Sequence, residues 1–303
     1  MRIMINNMYK KIRKILNAFD YMLNIEAFIK RDSLKRKFEE SVHFCNEPMI
    51  DQSNVSLGIS LTTYGQRIFD VHLVIESIAL QTVKPERIIL WLDKNEFTLS
   101  TIPLALKKQI GRGLEIRFCE NLKSYKKLIP SITEYPEYDW ITIDDDYLYP
   151  CDMVELLLVE SKVNPDCIIG HRAHKMTFNS AGKLRPYLEW DIETNDCKTS
   201  ASIFLTSGAG TLFPSGCFKN IAIESEVFMN ICGHADDVWF KSMALLSNTP
   251  CKKINDPRPY DSRFTQLESG NVHALSDLNV DEGHNDKQIK LVFDKYKLWI
   301  HLK

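Results

Sequence analysis

The sequence predicts an α/β fold with a mostly parallel sheet flanked by helices. Two patterns carry that expectation. Apolar runs of strand length alternate with stretches of helical period between Val55 and Ile143, and the runs at 55–61, 87–92 and 140–143 each end in a polar or acidic turn. Strands separated by helices at this spacing pair in parallel through right-handed crossovers, and ligands then bind beyond their carboxyl ends. A chain of 303 residues is long enough to form one compact enzyme with a sizeable core.

Residues 1–52 read as a basic helical N-terminal extension. Arg2, Lys10, Lys11, Arg13 and Lys14 precede any acidic residue and interleave with Met4, Ile5, Met8, Ile12, Ile15 and Leu16. Such a helix either lies on an anionic membrane surface or docks as an ordinary amphipathic helix. Strand 55–61 opens the main unit, 53–303, and runs into the turn Thr62-Thr63-Tyr64-Gly65-Gln66-Arg67. Helix 69–81 follows from the spacing of Val71, Val74, Ile75 and Ile78, and Pro85 separates it from strand 87–92, which closes on Asp93. Helix 102–110, strand 114–118 and helix 123–132 continue the alternation. Strand 140–143 then runs straight into Asp144-Asp145-Asp146.

After Pro150 the regularity weakens into a mixed half, 151–255. It contains a helix at 153–161, a strand at 167–170, irregular sequence to about Asn195, and a strand, glycine loop and strand across 204–216. A helix begins near Asp236, carried by Val238, Trp239, Met243, Leu245 and Leu246, and the tail 256–303 is polar until a final amphipathic stretch.

Hydrophobic residues at 44% and charged residues at 26% exclude disordered and collagen-like chains. A formal net charge of -2 gives no ground for a nucleic-acid partner, so charge is read locally. Eight cysteines without a CxxC pair fit reduced thiols in a cytosol rather than a zinc site or a disulfide framework. No apolar run reaches the roughly 18 residues that span a bilayer, and the start lacks a signal-peptide pattern. The expectation is a cytoplasmic protein, with the N-terminus as the one candidate for peripheral membrane contact.

Three consecutive aspartates at a strand end repel one another unless solvated or countered by a cation. Asp144-Asp145-Asp146 therefore invites Mg²⁺ or Mn²⁺, ions that take carboxylate oxygens and leave positions for phosphate. The plain alternative is a solvated acidic turn. Asp236-Asp237 opens a helix, where either acid also suits the helix N-terminus for its own sake.

Strand 55–61, the phrase Ser77-Ile78-Ala79-Leu80-Gln81-Thr82, strand 87–92 with Asp93 and the triple aspartate together resemble a GT-A (Rossmann-like) glycosyltransferase. The resemblance covers residues 55 to about 250. It is similar to bacterial enzymes that build O-antigen or capsular polysaccharide, and looser toward glycosyltransferase family 2. It implies that Asp144 and Asp146 hold a divalent cation on the donor diphosphate with Asp145 beside them. It also implies that Asp93 contacts the nucleoside, and that Thr62, Thr63, Tyr64 and Arg67 face base and ribose. It divides the main unit into a nucleotide-sugar-binding half, 53–150, and an acceptor half, 151–255. Gly233-His234-Ala235-Asp236-Asp237-Val238-Trp239 resembles the acidic pair before an acceptor-side helix in inverting members, which makes Asp237 the base, with Asp where many relatives carry Glu. Ser207-Gly208-Ala209-Gly210-Thr211 resembles the segment beneath the sugars, with Gly208 and Gly210 letting the backbone approach. A C-terminal histidine supplies a third ligand in some members, and His273 and His284 are the candidates.

Lys126 and Lys127 reach toward donor phosphates or else lie on a solvated helix face. Tyr187, Trp190 and Trp239 stack on sugars or else are packing material. His171 and His174 have no partner cluster that makes a zinc site. The implied reaction moves a sugar from a nucleotide sugar, a UDP-sugar by family, to a glycan or lipid-linked oligosaccharide. One rival is a sugar nucleotidyltransferase, for which turn 62–67 is poor in glycine and basic residues. The other is a non-catalytic glycan-binding or assembly protein, against which the two acidic clusters argue.

Overall fold

A computed structural model describes residues 14, 22, 25–53, 56–218, 223–268 and 283–302. Most of the basic N-terminal stretch and all of His273 lie outside the described residues. The strands, in chain order, are β1 (Leu57–Thr62), β2 (Arg87–Asp93), β3 (Leu114–Cys119), β4 (Asp139–Ile143), β5 (Tyr147–Leu148), β6 (Ile168–Gly170), β7 (Ala173–Lys175), β8 (Ile203–Leu205), β9 (Ala209–Phe213), β10 (Cys251–Lys253) and β11 (Thr265–Gln266).

Seven of them form one mixed, mostly parallel sheet in the order β10-β6-β9-β4-β1-β2-β3. β1 pairs in parallel with β2 and β4, with Ile59 opposite both Ile88 and Ile141. β9 alone is antiparallel, inserted between β4 and β6. Because helices cover both faces, the central strands are apolar on both sides. Ile89, Trp91 and Trp140 point into one buried layer with Tyr125 and Trp239. Ile88, Leu90, Leu92, Ile141 and Ile143 point into the other. The pairs β5–β11 and β7–β8 are separate short ribbons.

Helix Val71–Ala79 forms at its expected place, slightly shorter than its pattern. The single helix expected over 123–132 is instead a 3-10 turn, Lys123–Lys127, followed by helix Ile129–Glu134. Pro130 accounts for the break: it has no N–H to continue a ladder and suits the first turn of a new helix. Helix Ile25–Phe44 packs against Val71–Ala79. There the fully buried Glu76 accepts from Arg112 Nη1 (2.6 Å), Gln109 Nε2 (2.8 Å) and Ser41 Oγ (2.6 Å). The buried charge thus has both a cation and hydrogen bonds. The C-terminal amphipathic stretch is helix His284–Tyr296, which buries Ile289, Val292 and Phe293 against helix Asp236–Leu246. No helix among the described residues is long and apolar enough to cross a membrane.

Candidate active site

The parallel topology brings the ends of β1, β2 and β4 to one edge, where Thr62–Arg67, Asp93 and Asp144–Asp146 meet. Their side chains do different things. Asp145 is buried and held by Thr63 Oγ1 (2.5 Å) and Arg67 Nη1 (2.8 Å). Arg67 Nη1 also reaches Asp146 Oδ2 at 3.3 Å, and its guanidinium lies over the exposed ring of Tyr64. Thr62 Oγ1 donates to the Trp91 carbonyl (2.8 Å), a bond that ties β1 to β2. Asp93 is buried at the end of β2, and its Oδ1 accepts from Asn95 N (2.8 Å), the local turn bond that aspartate favours.

Asp144 sits across from the second acidic cluster. Lys127 Nζ lies 2.8 Å from Asp144 Oδ1 and 3.0 Å from Asp236 Oδ2, so one buried ammonium joins the end of β4 to the start of helix Asp236–Leu246. Burial opposes the charged amine, yet Asp144, Asp236 and Asp237 hold it well above the ordinary lysine range. The expectation of a solvated lysine face is therefore wrong for both lysines: Lys126 is 2% exposed and Lys127 5%. The tight 3-10 turn carries them inward.

Asp237 accepts from Ser207 N (2.8 Å) and from Ser207 Oγ. Burial, then neighbouring Asp236, pushes its carboxyl up to about 6, while Lys127 and Ser207 work the other way. Ala235, not either acid, is the N-cap residue, but Asp236 and Asp237 both lie in the first turn, where negative charge suits the helix N-terminus. Asp146 is pushed up to about 7 by burial and by Asp144 and Asp145, against Arg67 and Lys127.

The strand pairing is irregular between Thr142 and Ile143, where β4 meets the turn before β9. Here the Gly208 carbonyl accepts from Asp144 N (3.1 Å) and from the Tyr149 hydroxyl. A Cβ on Gly208 would stand 1.6 Å from Asp144 Oδ2, so only glycine lets the backbone lie against that carboxylate. Gly210 is placed differently, inside β9 at φ +83°, where a Cβ would meet Met153 and His171.

The donor set is carboxylate oxygen, the type that a hard divalent cation takes. Five carboxylates (Asp144, Asp145, Asp146, Asp236 and Asp237) stand around the two paired cations Arg67 and Lys127. Mg²⁺ commonly takes one or two carboxylates and completes its shell with water and phosphate. Among the described residues, no three His, Cys, Asp or Glu side chains converge on one point. His284 therefore does not complete a set with Asp144 and Asp146. It lies at the start of the C-terminal helix with His234 among its neighbours.

Tyr187, Trp190 and Trp239 are buried in aromatic packing, the plainer of the two readings of each. His171 and His174 are likewise buried, and burial lowers both to about 4. The pattern of residues alone did not single out Ser207 as the partner of Asp237. Its only signal was a small hydroxyl residue directly before Gly208. Lys126 was paired in expectation with Lys127, yet the two turn to different neighbours.

No protein-family model matches the chain, and no curated protein matches it significantly in sequence. Among solved structures, the UTP-bound UGPase from Acinetobacter baumannii is similar at a TM-score of 0.41 and 8% identity, over 82% of this chain and 99% of that one. A likeness of that size assigns neither family nor activity.

Proposed function

We propose that the chain is a metal-dependent enzyme of nucleotide-sugar chemistry, a GT-A-type glycosyltransferase that moves a sugar from a nucleoside diphosphate donor to a glycan or lipid-linked acceptor. The observation that carries this reading is Asp237. A partly buried carboxyl raised to about 6 and oriented by Ser207 is tuned for a general base near neutral pH. Across Lys127 from its neighbour Asp236 lies Asp144, two residues before Asp146.

Asp144 and Asp146 would hold Mn²⁺ or Mg²⁺, which when bound neutralises charge on the leaving diphosphate. Asp145 is engaged in orienting Arg67 and Thr63 and so shapes the turn beneath the donor. Lys127 keeps the two clusters in register. Asp237 takes the acceptor hydroxyl proton, as inversion requires. The acceptor is reached at the cytoplasmic face of a membrane, with the basic N-terminus as the contact.

A second reading is nucleotidyl transfer that builds the nucleotide sugar. Lys127 favours it, because a buried ammonium between Asp144 and Asp236 is placed to meet the charge of a sugar 1-phosphate. Against it, the single arginine of turn 62–67 is committed to Asp145 and Asp146 rather than free for a triphosphate.

Calorimetric titration with UDP, GDP and UTP, each with and without Mn²⁺ and repeated on Asp146→Ala, tests the proposal. Metal-dependent binding of a diphosphate that the substitution abolishes is the expected result. Binding of UTP alone, with sugar 1-phosphate as co-substrate, moves the assignment to nucleotidyl transfer. Failure to bind any nucleotide removes both.

A further inference from the structure

Lys241 is a buried ionisable group that the reaction above does not use. It lies in helix Asp236–Leu246, one turn after Asp237, and is 4% exposed. Among the described residues its Nζ has one polar partner, the Cys251 thiol at 3.5 Å, to which it donates. Cys251 is 2% exposed and opens β10, the outermost strand of the sheet. Its backbone pairs with Ile168 of β6, and its side chain enters the same buried layer as Trp239 and Phe240.

Two features separate this pair from an ordinary core contact. The amine has no carboxylate beside it, and burial lowers its ammonium below the ordinary lysine range. A neutral amine carries a lone pair and is a nucleophile. The second feature is a cavity of about 10 Å³ against the pair, lined by Ser207 and Asp237 as well as by Lys241 and Cys251. That is room for about one water-sized molecule. Its Ser207–Asp237 wall belongs to the candidate active site, so the way in for a small oxidant begins there. A buried thiol among apolar groups alone is inert, whereas a neighbouring amine takes up its proton and leaves the reactive thiolate.

We propose that Lys241 and Cys251 form a modification site at which hydrogen peroxide joins the two side chains through a sulfur–nitrogen bond, a sulfenamide. The thiolate sulfur attacks one peroxide oxygen, the O–O bond breaks, and the departing hydroxide takes the proton held by Lys241. Sulfur is thereby oxidised to a sulfenic acid and the peroxide reduced to water. The neutral amine then attacks the sulfenic sulfur, the S–O bond breaks, and the hydroxide leaves as water with a proton from nitrogen. Overall the chain loses one hydrogen from sulfur and one from nitrogen. The bond ties the helix that carries Asp237 to β10, and an external dithiol reverses it by returning the thiol and the amine while becoming a disulfide. Cys217 is the competing thiol, since it lies in the same layer; Cys167 lies in the other. None of this depends on which nucleotide or sugar the site takes.

The test is non-reducing peptide mapping of the full chain by mass spectrometry, before and after hydrogen peroxide. The exposed Cys151 is the internal sign that the oxidant is active. The natural chain should give peptides joined between Lys241 and Cys251, about 2 Da lighter than the two parts together. Trypsin cleavage after Lys241 should be lost, and dithiothreitol should restore it. Lys241→Met should leave Cys251 a free thiol under the same treatment. Lys241→Gln repeats that comparison if the methionine variant fails to fold, which circular dichroism reports. A natural chain that keeps Cys251 as a free thiol while Cys151 is oxidised overturns the proposal. So does a disulfide between Cys251 and Cys217, or an oxidised Cys251 with Lys241 unmodified.

Discussion

Gly208 and the Asp144 carboxylate are in such close approach that a methyl group on the glycine would lie 1.6 Å from Oδ2 and 2.0 Å from Cγ. The glycine cannot retreat, because its carbonyl is held by Asp144 N and the Tyr149 hydroxyl. Gly208→Ala should therefore displace Asp144, not β9. The expected result is a loss of Mn²⁺-dependent nucleotide affinity of at least about tenfold with a stability loss of about 1–3 kcal/mol, the usual range for overpacking. Titration and urea unfolding of the same variant separate the two effects.

Arg67 is the cation for a buried carboxylate: the side chains of Arg67 and Asp145 are 13% and 6% exposed. Arg67→Met leaves Asp145 with Thr63 alone, and breaking a buried pair from one side typically costs about 3–5 kcal/mol. Denaturant unfolding of Arg67→Met should show a loss of that order, and the double variant with Asp145→Asn should recover part of it. Full additivity of the two substitutions would mean the pair does not interact.

Asp237 gives a pH dependence with a definite sign. Its folded carboxyl is raised from 3.8 to about 6, so between those values the folded state binds more protons than the unfolded state. The contribution to stability is present below about pH 4 and is lost as pH rises through about 6. Asp237→Asn should thus melt higher than the natural chain at pH 8, and this advantage should vanish near pH 4. As a base the same group works only when deprotonated. The transfer rate should climb through about pH 6 and level off, and Asp237→Asn should lower it about 10²–10⁴-fold. A scan of melting temperature and rate against pH reads both.

Lys127 holds the Asp237 carboxyl down from a distance. Lys127→Met removes that attraction and leaves Asp236 unpaired from its ammonium. The acid limb of the rate profile should move to higher pH, by about one unit for the loss of a nearby opposite charge. A profile that drops in height without moving would assign Lys127 to substrate contact instead.

The elements that position the site were legible because their signals are local. The strands ending at Thr62, Asp93 and Ile143 are short apolar runs closed by polar residues, and the helix at Val71 repeats with helical period. What was not legible depends on partners far apart in sequence. Asp145 shows as one of three aspartates in a row, and nothing in that row says that Arg67, 78 residues away, neutralises it. Lys126 and Lys127 look like an exposed basic pair because lysine usually is one; they are buried in the 3-10 turn Lys123–Lys127, which a single helix over 123–132 does not contain. The insertion of β9 between β4 and β6 has no local signature at all, since direction is not written in a strand's own pattern.

That insertion also bears on how the chain is made. β4 pairs with β1 on one side as soon as both exist, but its other edge waits for β9, which is synthesised after β6 and the irregular segment between them. On a ribosome adding about 5–20 residues per second, that edge stays open for several seconds. An unpaired apolar edge is a template for pairing with another chain, so the nascent protein is most exposed to aggregation in that interval. Truncations ending between Gly170 and Ala209 should accumulate in the insoluble fraction, whereas chains that reach Phe213 have the strand that closes it.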